Sequence, residues 1–120
     1  MSEPAHRATV TAAQEHYVAR VGDTVVARSS RALILEEVSP RKTYAPVIYF
    51  PLEDVDQTVL RPCDHHSFCP IKGEAAYHDI AVDGQLLERA AWFYPDPLLM
   101  VAGVKNHLAF YRDKVAVEGA

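Results

Sequence analysis

The stretch Cys69-Pro70-Ile71-Lys72-Gly73-Glu74-Ala75-Ala76-Tyr77 brings a thiol, an amine, a carboxylate and a phenol together within nine residues. A thiol becomes a nucleophile when a nearby cation stabilises its thiolate, so Cys69 beside Lys72 is one candidate, with Pro70 fixing the turn between them. Glu74 has the chemistry of a general acid or base, and Tyr77 that of a proton donor. The simpler reading makes Cys69 a small buried hydrophobe and Lys72 a surface charge. Two aromatic clusters ending in proline flank the stretch, Tyr49-Phe50-Pro51 upstream and Trp92-Phe93-Tyr94-Pro95 downstream. Aromatic residues in strands are mostly core, but buried Tyr and Trp need polar partners. Tyr49, Tyr77, Trp92, Tyr94, Phe110 and Tyr111 therefore serve equally as core or as the lining of a small-molecule pocket. Gly73 lets the backbone turn or a ligand come close, which moves the weight from Cys69 as nucleophile to Lys72 and Tyr77 as binding groups.

Other constellations are thinner. Cys63, His65, His66, Cys69 and His78 are zinc-type ligands, yet structural zinc sites show close pairs such as C-x2-C and none is present. No metal or cofactor is assigned, and metal binding by the loop that carries Cys63, His65, His66 and Cys69 stays open. Asp54-Val55-Asp56 has the D-x-D spacing of two-metal nucleotidyl transfer, in which alternate strand residues present both carboxylates on one face. The glycine-rich phosphate cradle that would accompany it is missing, and an acidic turn capping a strand is the simpler reading.

The whole chain sets limits on these readings. At 120 residues it holds one domain with one core. A net charge of −4 with scattered Lys and Arg argues against nucleic-acid and anionic-membrane partners. No run is long and apolar enough to span a bilayer, and Met1-Ser2-Glu3-Pro4 lacks the features of a signal peptide. The expected location is cytoplasmic, with both cysteines as free thiols.

The elements that must position these residues read as strands. Residues 1–17 form an arm or edge strand, and residues 18–120 a single domain. Residues 16–21 and 24–29 flank Gly22-Asp23 as a hairpin. Residues 32–36 make a buried strand ending on Glu36-Glu37, residues 38–46 break the pattern, and 47–50 resume it until Pro51. After an acidic turn, 58–61 form a strand ended by Pro62, and 63–68 a loop. Residues 75–82 alternate as a strand into the Asp83-Gly84 turn, followed by a short arm at 85–87 and a strand at 90–94. Leu98-Leu99-Met100-Val101-Ala102 is the helix candidate, with Asp96 as cap and Pro97 at its start. Residues 108–111 and 114–117 then pair as a closing hairpin. About eight or nine short strands with frequent turns indicate an all-β sandwich or barrel.

These residues also carry a resemblance. Ala27-Arg28-Ser29-Ser30-Arg31-Ala32, Tyr49-Phe50-Pro51-Leu52-Glu53-Asp54-Val55, the stretch at 69–77, Ala91-Trp92-Phe93-Tyr94-Pro95-Asp96-Pro97 and Ala109-Phe110-Tyr111 occur in the order and spacing of the bacterial DUF427 family. The chain resembles that family over residues 18–117. The resemblance implies an all-β fold of the β-tent or Mss4-like kind, small antiparallel sheets with one short helix near residues 97–103. It attaches a nucleotidyltransferase label without a mechanism. The matching positions are Arg31, Glu36, Tyr49, Asp54, Cys69, Lys72, Gly73, Tyr77, Trp92 and Tyr94. Lys105-Asn106-His107 departs from it, because relatives tend to carry a glycine there.

The resulting expectation is a cleft that binds a small polar or anionic metabolite. Arg31 and Lys72 supply charge, Tyr49, Tyr77, Trp92 and Tyr94 form walls, Gly73 gives close approach, and Cys69 or Glu74 performs any chemistry. The alternatives are a nucleotidyltransferase-like enzyme using Asp54 and Asp56 with a divalent metal, and a non-catalytic interaction module whose strand edges pair with another protein or as a homodimer.

Overall fold

A computed structural model describes residues 6–120, and the start of the expected arm, residues 1–5, lies outside the described residues. Its strands are β1 (Arg7–Ala12), β2 (Tyr17–Val21), β3 (Thr24–Ser29), β4 (Leu33–Ser39), β5 (Lys42–Thr43), β6 (Val47–Pro51), β7 (Leu60–Cys69), β8 (Gly73–Val82), β9 (Gln85–Phe93), β10 (His107–Phe110) and β11 (Ala116–Gly119). The larger sheet runs β1-β4-β6-β10-β9-β8-β7 with β5 folded back on β4, and the smaller runs β11-β2-β3. All pairings are antiparallel, so the fold is all-β. Short 3-10 turns lie at Leu52–Asp54, Gln57–Val59 and Leu99–Val104, and no helix among the described residues is long and apolar enough to cross a membrane.

Alternation along the strands of the larger sheet separates two apolar clusters. On β6, Ile48 and Phe50 pack with Val26 and Ala27 of the smaller sheet, while Tyr49 faces the other way among Leu35, Tyr77, Tyr94 and Val101. On β10, Leu108 and Phe110 join the first cluster and Ala109 the second. Phe50 is fully buried, edge-on to Phe110 at 5.6 Å, and its burial stabilises the fold by about 2–3 kcal/mol. Val101 and Val104 of the last 3-10 turn cover part of the second cluster, leaving Leu98, Leu99 and Met100 exposed.

Several elements differ from the sequence reading, each for a local reason. β4 runs past Glu36-Glu37 to Ser39, because β5 turns back at Pro40-Arg41 and pairs Thr43 with Val38. Of the expected strand at 58–61, Thr58 and Val59 form a 3-10 turn and Leu60 and Arg61 open β7, which continues through the supposed loop at 63–68. Pro62 is tolerated because β7 is an edge strand and its register shifts between Pro62 and His66. β9 is one strand, not two arms; the break in pattern is a bulge at Arg89, whose φ is +51° and whose N–H donates to Asp79 Oδ1 at 2.9 Å. The helix candidate forms as a 3-10 turn without a side-chain cap, so Asp96 does not cap it. The closing hairpin is absent, since β10 and β11 join different sheets. At 105–107, Asn106 takes φ +63°, the left-handed conformation that glycine adopts freely and asparagine tolerates.

Candidate functional site

The site begins with period two on β4. Leu33, Leu35 and Glu37 share a face, and Glu37 ends that row with its side chain only 7% exposed. A buried carboxylate requires partners. The turn between β7 and β8 supplies one: the Lys72 N–H donates to the Cys69 carbonyl at 3.2 Å, and the Lys72 ammonium lies 2.6 Å from Glu37 Oε1. His6 Nε2, ahead of β1, lies 2.7 Å from Glu37 Oε2. Burial alone would raise the Glu37 carboxyl, but hydrogen bonds from Lys72 and His6 outweigh it and hold the group below its ordinary value. Burial alone would lower Lys72, and the bond to Glu37 reverses that, so the ammonium is held above its usual range. At neutral pH the two form a charged pair at the base of a cleft.

Gly73 explains how Lys72 arrives there. Its φ of +105° lies where side chains are strained, and a Cβ would stand 3.3 Å from the Asp96 carbonyl. The chain at Asp96 and Leu98 is packed against the turn, with Leu98 N–H donating to the Lys72 carbonyl at 3.0 Å. Gly73 is therefore a positioning residue and does not line the cleft.

The walls are aromatic. Tyr77 of β8 pairs with Trp92 of β9, and Trp92 pairs with Ala109 of β10. The small Ala109 side chain lets the indole reach across β10, where Trp92 Nε1–H donates to the Tyr49 hydroxyl of β6 at 3.1 Å. Tyr77 shares a hydrogen bond with Ser67 of β7 at 2.8 Å. Tyr111 stands 4.5 Å from Trp92 between ring centroids, and its ring is parallel to that of Tyr77 within 5°. Burial pushes Tyr49 and Tyr94 above the ordinary phenol value, and burial together with the neighbouring Tyr77 phenol pushes Tyr111 up to about 12. These three phenols are protonated near neutral pH.

The cleft encloses about 600 Å³. It brings together Cys69, Lys72, Tyr77, Trp92 and Tyr94 from the sequence reading, and adds His6, Glu37, Lys42, Tyr44 and Tyr111. Tyr49 lies behind Trp92, 1% exposed. Glu74 is exposed on β8, 4.0 Å from His66 Nδ1, and is not part of the lining. The zinc-type residues are dispersed: His65 packs on Tyr77, His78 stacks on Phe93, and no group of three or more His, Cys, Asp or Glu able to hold a metal occurs among the described residues. Both cysteines are free. Six residues apart along one strand, they are separated by roughly 15–20 Å, too far for a disulfide.

Arg31 lies elsewhere. It reaches Glu53 at 2.6 Å and Asp54 at 3.5 Å, and lines a separate recess with Leu52, Lys105 and His107. Asp54 also accepts from the buried Ser29 hydroxyl at 2.6 Å, and Asp56 Oδ1 accepts from Thr58 N–H and Oγ1–H. The two carboxylates thus sit at successive 3-10 turns, each bound locally, and not along a strand as their spacing suggests. Arg31→Ala is expected to leave anion binding in the cleft within twofold of wild type by calorimetric titration, because exposed ion pairs hold little structure together. A tenfold loss would place Arg31 in the ligand site.

Glu37 is the residue sequence reasoning passed over. The alternation Leu33, Leu35, Glu37 was available, but ending the strand at residue 36 hid it. His6 carried no signal, because its role depends on β1 pairing along β4, with Arg7 opposite Val38.

An all-β domain with a packed core on one face of its main sheet and a charged, aromatic cleft on the other is the class that this geometry defines. Residues 9–119 match the family described as a domain of unknown function (DUF427), and the chain belongs to that family. A search of curated proteins found no significant match.

Proposed function

We propose that the domain binds a small polar or anionic metabolite in the cleft beside Lys72. The observation that carries this reading is the Lys72 ammonium, fixed by Glu37 at the base of an open cavity of about 600 Å³, within the usual size of small-molecule sites. An ammonium has three N–H donors, so a single bond to Glu37 leaves donors for a ligand. Lys42 adds a second cation to the lining. Cys69 lines the cleft, but binding asks less of the site than turnover does. The nucleotidyltransferase alternative draws on the Asp54 and Asp56 spacing and the family's label, and the interaction-module alternative on the sheet edges and the exposed Leu98, Leu99 and Met100.

Thermal unfolding with phosphate, citrate or benzoate at ten-millimolar level tests the reading. At least one should stabilise the wild type by about 1.4 kcal/mol if present at tenfold its Kd. The exposed variant Lys42→Glu should fold normally and lose most of that gain. No shift with any of the three would count against the cleft as an anion site.

A further inference from the structure

We infer that the cleft's ligand is a flat ring bearing a carboxylate or phosphate, with the ring against Tyr111 and Trp92 and the acid at Lys72; the inference rests on the binding reading above. Its starting point is what the wall does not offer. Trp92 spends its indole N–H on Tyr49, and Tyr77 shares its hydroxyl with Ser67. Among the described residues no buried side-chain polar atom lacks a partner. At Trp92 and Tyr77 the wall therefore presents ring faces rather than free donors, and there a flat π surface complements it better than a hydroxylated chain would.

The second step fixes the sign of the charge. Aromatic clefts also hold quaternary ammonium groups, provided that no cation competes. Here both Glu37 oxygens are engaged, by Lys72 and His6. Lys42 also stands over the Tyr44 ring at 4.8 Å from its centroid. A cationic ligand would meet two ammonium groups and a carboxylate already neutralised. An anionic head meets donors at the base while its ring reaches the wall, and Tyr111, 36% exposed, leaves ring surface to stack on.

Trp92 is the sole tryptophan of the chain, so its fluorescence reports on this wall. The test titrates the full chain with benzoate, cyclohexanecarboxylate, phenyl phosphate, cyclohexyl phosphate and phenyltrimethylammonium, using calorimetry for affinity and Trp92 emission for location. Area burial alone favours the saturated rings, which are the bulkier apolar bodies. Stacking predicts the reverse: the aromatic acid should bind about fivefold more tightly than its saturated partner, and Tyr111→Ala should abolish that ratio by weakening the aromatic acid about fivefold more than the saturated one. The carboxylate and phosphate pairs show which acid is preferred. Saturated acids that bind equally or better would overturn the flat-ring inference and leave the cleft reading standing. Binding of phenyltrimethylammonium in place of the acids would overturn the acid assignment, and failure of all five at ten-millimolar level would overturn the cleft reading itself.

Discussion

Lys72→Met should destabilise the fold by about 3 kcal/mol, lowering the melting temperature by roughly 10 °C. The side chains of Lys72 and Glu37 are 15% and 7% exposed, so removing the ammonium leaves a buried carboxylate with His6 as its remaining partner. The cost arises from that stranded charge more than from the lost attraction. Lys72→Met combined with Glu37→Gln should therefore be more stable than Lys72→Met alone, and the coupling is read from a double-mutant cycle by chemical denaturation. A double variant whose destabilisation equals the sum of those of Lys72→Met and Glu37→Gln would mean that the pair is not coupled.

The same pair sets a pH window. Glu37 is depressed in the folded state, so its contribution is complete above the unfolded carboxyl value of about 4.3 and is lost as pH falls through the lower folded value. Lys72 is raised, so its contribution is complete below about 10.4 and is lost as pH rises through the higher folded value. Tyr49, Tyr94 and Tyr111 are also raised and act on the alkaline side, which leaves the acid limb as the cleaner measure. Glu37→Gln should flatten that limb relative to wild type.

Gly73→Ala should destabilise the fold by about 2–3 kcal/mol and weaken ligand binding as well. The backbone cost comes from φ +105°, and a second cost from the Asp96 carbonyl, which must give way to a Cβ at 3.3 Å. That carbonyl belongs to the segment that anchors the Lys72 turn through Leu98, so relief of the contact shifts the ammonium relative to Glu37. Gly84 provides the control, because it has φ +78° but a Cβ there would meet nothing within 4 Å. Gly84→Ala should carry only the backbone cost, about 1 kcal/mol, and leave binding unchanged. Equal effects of the two substitutions on binding would remove Gly73 from the positioning of Lys72.

Much of this architecture could be read from local pattern. The hairpin around Gly22-Asp23 and the alternation through residues 75–82 survive because their turns and their periodicity are both local. Two failures share a cause, the partner strand. Glu37 stays on a strand because β5 folds back on β4, and residues 63–68 stay extended because β8 supplies a ladder on one side of β7. The fate of residues 108–117 could not be read locally either, since β11 finds its partner in β2, nearly a hundred residues away in sequence. The aromatic residues showed that a wall exists, and the motif at 69–77 located its base. Arg31 joins them in sequence as a charge at a position that matches the family, and the fold puts it in another recess.

A crystal structure grown with benzoate at tenfold its measured Kd tests the central claim most directly. The claim predicts density in the cleft, with a carboxylate oxygen within hydrogen-bond distance of Lys72 Nζ and the ring against Tyr111. Benzoate bound instead in the recess of Arg31 and Lys105, with the cleft beside Lys72 empty, would contradict it.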